Sequence, residues 1–469
     1  MGGTCDCIGP GKEVMIYELF LGNPSQIRME GFVLIDWTFL LFSYVGGKMD
    51  FLMVIVTQIL GNAAFLVGLL ALVGLLVQGK GFREVFTGTV KTIVGFLIFG
   101  IGAGAGVEAL GNFQSLFTTG FNLEGVLPLA EGITALALTE LGTVTALIMV
   151  FGFFMNLLFA RITPFKYIFL TGQHNLFFAA LLAIVMNARG LSIPVSVVLG
   201  SIILGFFAAF YPWIARKYMN KVTGSDEIGI GHYVTIGYAL SGWIGGLVGD
   251  PEQDTEDLKL PGWLGIFRDY VASISITMLV VYYIAAFAAG QGAVSEVAGD
   301  TNWLVFPLIQ SLTFAGAVYV IITGVRMFLG EIVPAFLGIS EKVIPDAIPA
   351  LDCPAVFPYA PTAVIVGFIS AYIGGLLTMG VMLLLGTTVI IPVAIPYFFI
   401  GATAGVFGNA TGGWKGAVAG AFLVGILIAV GPALIYPIMG QVGLSGTTFP
   451  ETDFVAVGLP LYYLLGLFY

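Results

Sequence analysis

The stretch Phe165-Lys166-Tyr167-Ile168-Phe169-Leu170-Thr171-Gly172-Gln173-His174-Asn175-Leu176-Phe177-Phe178-Ala179-Ala180-Leu181-Leu182-Ala183-Ile184-Val185-Met186 decides how this chain must fold. It is long and apolar enough to cross a bilayer, for which about 20 residues suffice. Yet Thr171-Gly172-Gln173-His174-Asn175 puts consecutive polar groups in its middle. Thr171-Gly172 reads as a local break in the helix. Polar side chains at membrane depth cost free energy unless they have partners or bind something, so the cluster marks a substrate pathway. Three consecutive helical residues point in different directions. Gln173 or His174 is therefore expected to face a cavity, with the other bonded to backbone.

The surroundings agree with a membrane setting. Mean hydropathy is +1.02, and 9% of residues are charged, against about 25% in soluble domains. The expected class is an all-α polytopic membrane protein. Its 65 glycines suit close helix packing and broken helices. A net charge of −10 with no basic run excludes a nucleic-acid partner. Cys5, Cys7 and Cys353 form no metal or haem pattern. No H-E-x-x-H, Walker A loop or G-x-S-x-G elbow occurs, so no cofactor, metal or ATP chemistry is expected. The first residues do not read as a signal peptide, because Glu13, Glu18, Arg28 and Glu30 interrupt them.

Windows of spanning length fall at 51–77, 85–107, 144–160, 165–186, 193–215, 270–289, 303–329, 362–385, 389–407 and 417–438, with a partial one at 455–469. That makes about eleven transmembrane helices. Three further apolar stretches differ. Segments 125–138 and 344–359 are shorter, contain proline and carry carboxylates, Glu131 in the first and Asp352 in the second; 229–249 is rich in glycine. Broken backbone at membrane depth survives only where it is buried or lines a cavity. The first two read as re-entrant elements, the third as re-entrant or a crossing linker. Lys80, Arg83, Lys91, Arg161, Lys166, Arg216, Lys217 and Lys221 flank alternate connections, which places those connections in the cytoplasm.

A weak internal repeat is visible. Gly95 pairs with Gly324, and Glu131, after Val126-Leu127-Pro128-Leu129-Ala130, pairs with Asp352, after Ile348-Pro349-Ala350-Leu351. Paired broken segments in two halves signal an inverted-repeat transporter with its site between the halves. The expected organisation is an extension at 1–48, a first membrane repeat at 49–228, a linker at 229–269 and a second repeat at 270–469. Glu131 and Asp352 are the leading substrate-binding candidates; the plainer reading is that each caps a half-helix N-terminus. His232, in Gly229-Ile230-Gly231-His232-Tyr233, is a further candidate beside an interfacial alternative. Asn409 reads as part of a Gly/Asn-rich helix end, and Glu108, Glu140, Arg326 and Glu331 as structural partners near helix ends.

Several strings carry a resemblance. Glu256-Asp257-Leu258-Lys259-Leu260-Pro261-Gly262-Trp263-Leu264-Gly265-Ile266-Phe267 is a specific one. Gly324-Val325-Arg326-Met327-Phe328, Leu351-Asp352-Cys353, Gly229 to His232, and Gly405-Val406-Phe407 through Gly413-Trp414 join it. Together they resemble the ascorbate-type IIC permeases of the phosphoenolpyruvate-dependent sugar phosphotransferase system, from about Met49 onward. The resemblance implies a homodimer in a prokaryotic plasma membrane, each protomer with a substrate-carrying core domain and a V-shaped dimerisation domain. It implies elevator-like movement and phosphorylation of the substrate by a separate IIB protein, itself served by IIA. The permease would carry no phosphoryl group itself. The family's ligand positions fall here on Ala130, Glu131, Thr171, Gln173, His174, His232, Tyr233 and Asp352. Gln173 stands where the family has histidine, with His174 one place later. Phe177 and Tyr233 replace family glutamines, and Glu131 replaces a tyrosine. The expected cargo is a small sugar acid or polyol, ascorbate-like. Two alternatives stay open: a same-fold carrier uncoupled from the phosphotransferase or coupled to ions, and a sensor that binds without transporting. Removing residues 1–48 is expected to leave uptake intact when measured in vesicles; lost insertion would show that the extension is required.

Overall fold

The computed structural model describes residues 63–258, 261, 262, 266, 269–344 and 346–468. The 1–48 extension with Cys5 and Cys7, the beginning of the 51–77 span, and Trp263 with its neighbours lie outside the described residues. The chain is mostly helical. Its helices are α1 (Ala63–Val77), α2 (Phe82–Phe121), α3 (Ala130–Ile162), α4 (Gly172–Ala188), α5 (Ile193–Thr223), α6 (Thr235–Val248), α7 (Tyr270–Ala298), α8 (Val305–Val343), α9 (Pro361–Leu385), α10 (Ala394–Gln441) and α11 (Thr452–Leu465).

Among the described residues, seven helices are long and apolar enough to cross a membrane: α2, α3, α5, α7, α8, α9 and α10. The polytopic class follows. The helix boundaries differ from the sequence windows for identifiable reasons. From Ala130 onward the expected re-entrant piece at 125–138 shares one helix, α3, with the span at 144–160, and that helix is kinked at Leu141 (φ −114°, ψ 15°). The spans at 389–407 and 417–438 share α10, bent at Gly412 and Gly413; φ is +57° at Gly413, where a side chain would be strained. Helices α4, α6 and α11 are apolar but short.

Among the described residues, six short strands accompany the helices: β1 (Gly125–Pro128), β2 (Tyr167–Phe169), β3 (Gly229–Ile230), β4 (Ile348–Leu351), β5 (Val389–Ile390) and β6 (Thr447–Thr448). They form two parallel three-stranded sheets, in the orders β5-β1-β6 and β2-β4-β3. Each strand leads into a helix or, after β4, a 3-10 turn at Cys353–Ala355. The physical reason is backbone satisfaction. A helix that breaks at membrane depth frees N–H and C=O groups that lipid cannot bind, and strand pairing supplies partners. Leu170 N–H donates to Ala350 O (3.0 Å), Gly231 N–H to Leu351 O (2.6 Å), Leu129 N–H to Thr448 O (2.9 Å) and Ile391 N–H to Val126 O (2.9 Å). Gly231 permits this approach: a Cβ there would stand 2.5 Å from Ala350 O.

The strands fall in two sets. They begin at 125, 167 and 229, and then at 348, 389 and 447, with nearly equal spacings. Exchanging β1 with β4, β2 with β5 and β3 with β6 turns one sheet order into the other. Each sheet thus takes its middle strand from one half of the chain and its edges from the other.

Helices α1, α2, α7 and α8 pack mainly on one another; α3, α4 and α5 pack among themselves, and α10 packs on both α9 and α6. Helix α4 is buried from His174 to Met186, so it is a core helix despite its apolar length. Helices α2 and α8 touch at Gly95 and Gly324, the two glycines paired in the sequence repeat. A Cβ on Gly324 would lie 2.4 Å from Phe99 N, and one on Gly95 2.7 Å from Phe328 N. Backbones this close gain dispersion and tolerate no methyl. Gly324→Ala is expected to destabilise the protein by about 1–3 kcal/mol through overpacking, read as a lower thermal midpoint in detergent. Gly316→Ala, on the same helix with nothing within 4 Å of the new carbon, should leave the midpoint unchanged.

Candidate functional site

The C-terminal ends of both sheets open onto one cleft. From the sheet β5-β1-β6 come Ala130, Glu131, Ile395, Pro396, Pro450 and Glu451; from β2-β4-β3 come Gln173, His174, His232, Asp352 and Pro354; Ile322 and Arg326 reach in from α8. The space measures about 810 Å³ with its mouth included. Helices α3, α4, α6, α10 and α11 all begin shortly after a strand, near this space. Their N-terminal ends are partially positive and favour acceptors and negative charge nearby. This is why carboxylates gather here.

The polar groups form a connected surface. Gln173 Nε2 donates to Asp352 Oδ2 (2.9 Å), and Cys353 N–H donates to Asp352 Oδ1 (2.8 Å). His174 Nε2 lies 3.7 Å from Asp352 Oδ1, and its Nδ1 lies 3.8 Å from Glu451 Oε1. The rings of His174 and His232 are 3.9 Å apart between centroids. Behind them, the Tyr238 hydroxyl sits 3.2 Å from both His232 Nδ1 and Cys353 Sγ. The donor atoms of His174, His232 and Asp352 lie within 4.8 Å of one another. Asp352 is already engaged by Gln173 and the Cys353 amide, and His232 by Tyr238. The set therefore reads as a hydrogen-bonding surface for hydroxyl groups.

Of the residues singled out in the sequence, Ala130, Glu131, Gln173, His174, His232 and Asp352 come together around the cleft. Two do not face it. Tyr233 is fully buried against Phe169, Phe178 and Phe454, and its hydroxyl donates to Asn175 Oδ1 (2.9 Å). Asn175 in turn donates from Nδ2 to Phe169 O (3.3 Å). This pair ties the start of α4 to the segment after β3. Thr171 lines an adjoining recess that shares Gln173, Arg326 and Asp352 with the cleft. That recess meets an outer vestibule at Gly330, where Lys80, Arg83 and Lys91 stand. Among the other polar residues, Asn409 holds the 250–257 loop: Thr255 N–H donates to its Oδ1 (3.0 Å), and its Nδ2 donates to Asp254 Oδ1 (2.9 Å). Glu331 pairs with Lys91 at 3.0 Å.

Sequence reasoning missed Glu451 and undervalued Arg326. Glu451 follows a two-residue strand and has no polar cluster to announce it. The strand register is the signal that could have found its segment. Thr448 attaches to Pro128 as Ile230 attaches to Leu351. Carried forward, this sets Pro450 opposite His232 and Leu129, rather than Glu131, opposite Asp352. Pairing of Tyr167 with Ile348, and of Val389 with Gly125, sets Ile395 opposite Gln173 and Pro396 opposite His174. One sheet thus supplies the polar wall, and matching positions on the other supply most of an apolar wall.

A family described as the PTS system sugar-specific permease component, EIIC-GAT, matches residues 58–453. This chain belongs to that family. The ascorbate-specific PTS system EIIC component of Mycoplasma pneumoniae is 30% identical to it over 428 residues, covering 78% of this chain and 64% of the relative. The chain therefore matches somewhat under two thirds of that relative's length. One carboxylate buried beside the cleft has a positioning job: Asp453 accepts from Thr235 N–H (2.7 Å) and Ile236 N–H (3.1 Å), capping α6 just beyond His232. Asp453→Ala should cost about 1–3 kcal/mol by orphaning buried donors. Thermal unfolding in detergent measures this, with no loss expected from Asp250→Ala on the exposed loop.

Proposed function

We propose that this permease component imports a small sugar acid or polyol, ascorbate-like, which a separate IIB protein phosphorylates as it leaves. The observation that carries the reading is the polar wall of Gln173, His174, His232 and Asp352 facing the apolar Ile395, Pro396 and Phe399. A sugar-sized ligand has hydroxyls around a ring or chain with apolar C–H faces, and a cleft with one wall of each kind matches both. Family membership supports the phosphotransferase link, and the Mycoplasma relative's name supports the substrate class. Phosphorylation would occur on the cytoplasmic side. The vestibule of Lys80, Arg83 and Lys91, in which Glu84 and Glu331 pair with the two lysines, lies on the side that charge assigns to the cytoplasm.

The matching strand sets support two inverted repeats, 49–228 and 270–469, joined by 229–269. The mutual packing of α1, α2, α7 and α8 supports a V-shaped dimerisation domain distinct from a moving core. The working unit is then a homodimer in the plasma membrane, served by IIB and IIA chains. A second reading has one observation in its favour: Glu131, Asp352 and Glu451 line the same cleft beside one guanidinium, and carboxylates at membrane depth are the usual carriers of coupling protons. On that reading the protein is an ion-coupled carrier.

Uptake of labelled ascorbate and a panel of neutral sugars into vesicles, with and without phosphoenolpyruvate and the soluble components, separates the two. Accumulation as a phosphate ester is the expected result; unmodified cargo indifferent to phosphoenolpyruvate selects the carrier. Asp352→Asn is expected to weaken binding of the transported sugar at least about tenfold, or about 1.4 kcal/mol. Oligomeric state on size exclusion should not change. Unaltered affinity would remove Asp352 from the ligand set.

A further inference from the structure

Glu451 is 2% exposed and stands immediately before α11, in the cleft yet outside the set of residues read as sugar ligands. Its Oε1 faces His174 Nδ1 at 3.8 Å. Its Oε2 and His174 Nδ1 both lack a hydrogen bond among the described residues. On the opposite ring edge, His174 Nε2 faces Asp352 Oδ1 at 3.7 Å. The imidazole therefore lies between two carboxylates, each slightly beyond hydrogen-bond reach. The two do not compete equally for its proton. Asp352 already accepts from Gln173 and from the Cys353 amide and has a side chain 32% exposed. Glu451 is sealed in with an unsatisfied oxygen, and a buried acceptor left unmet keeps its full desolvation penalty, the more so when charged.

We propose that Glu451 is a positioning residue that holds the Nδ1 proton of His174, so that Nε2 and Asp352 together accept from two adjacent hydroxyls of the substrate. This deepens, and rests on, the reading of the cleft as a sugar or polyol site. A neutral imidazole carries one proton, so a proton fixed at Nδ1 leaves a lone pair at Nε2. Hydroxyls on neighbouring carbons present two donors at a spacing comparable to the 3.7 Å between these acceptors. A carboxylate or enolate oxygen has no proton to give and is turned away from this corner. The remaining charged and titratable groups around the pair are Glu131 and Asp453, close enough to Glu451 to interact with it, His232, whose ring centroid lies 3.9 Å from that of His174, Arg326 in the cleft, and Tyr238 behind His232.

The chain has two histidines, so 15N-histidine labelling of the full-length protein in lipid nanodiscs gives two side-chain spectra, and His232→Gln assigns them. In the wild type without substrate, His174 is expected to be protonated at Nδ1. In Glu451→Leu the proton should move to Nε2, facing Asp352. In Glu451→Gln, whose amide oxygen still accepts, it should stay at Nδ1. Adding ascorbate to the wild type should shift Nε2 and leave Nδ1 protonated. A bare Nδ1 in the wild type overturns the proposal, and that spectrum needs no variant to fold. So does a Glu451→Leu spectrum identical to wild type. An Nε2 signal indifferent to both ascorbate and neutral polyols overturns the assignment of the diol. None of these readouts involves phosphorylation, so failure of the phosphotransferase reading would be seen separately in the vesicle assay.

Discussion

A helix that stops at membrane depth exposes peptide groups to a solvent that cannot bind them, and this chain stops helices there repeatedly. Each unmet group costs several kcal/mol in hydrocarbon. The two three-stranded sheets answer that cost, and the rest of the architecture follows from them. Because pairing is parallel, the strand ends in each sheet emerge on one side, and the helices that resume after them bring their N-termini to one place. Partial positive charge then accumulates where the backbone is already polar. Carboxylates and imidazoles are tolerated there because those dipoles and amides partner them. Asp352 and Asp453 show it directly, each accepting from backbone N–H groups at the start of the next element.

The same geometry explains how a nearly symmetric scaffold holds a lopsided site. Equivalent positions on the two sheets carry Gln173 and Ile395, His174 and Pro396, His232 and Pro450. The scaffold needs only that strands pair and helices restart; it does not dictate which side chain stands on the first turn. One sheet was free to become the hydrogen-bonding wall, while the other kept proline and isoleucine. Proline is natural at those starts, since the first turn of a helix needs no amide donor from it.

Much of this was legible in the chain, for physical reasons. The Thr171-Gly172 break announced itself because polar residues in grease have few innocent explanations. Gly95 and Gly324 stood out as a pair and meet at the crossing of α2 and α8. The strands did not announce themselves. Two to four residues such as Val389-Ile390 or Thr447-Thr448 carry no alternation, and β5 hides at the head of a long apolar run that reads as uninterrupted helix. Glu451 was lost with its strand. The pairing of Glu131 with Asp352 was displaced by two residues, because a sequence comparison aligns carboxylates whereas the backbone aligns strand ends. Lysine and arginine gave direction to the loops but could not reveal that Arg326 turns inward.

The exchange of strands between halves has a consequence for biosynthesis. When the ribosome has delivered residues up to about the end of α6, β1, β2 and β3 are all present, yet none of their sheet partners has been made. The first half must wait in the membrane, or in the care of the insertion machinery, with those edges open. Only after β4 emerges can β2 and β3 close around it, and β1 is not enclosed until Thr447-Thr448 leaves the exit tunnel. The chain is therefore committed to closing that sheet late: β6 completes it 320 residues after its middle strand was laid down.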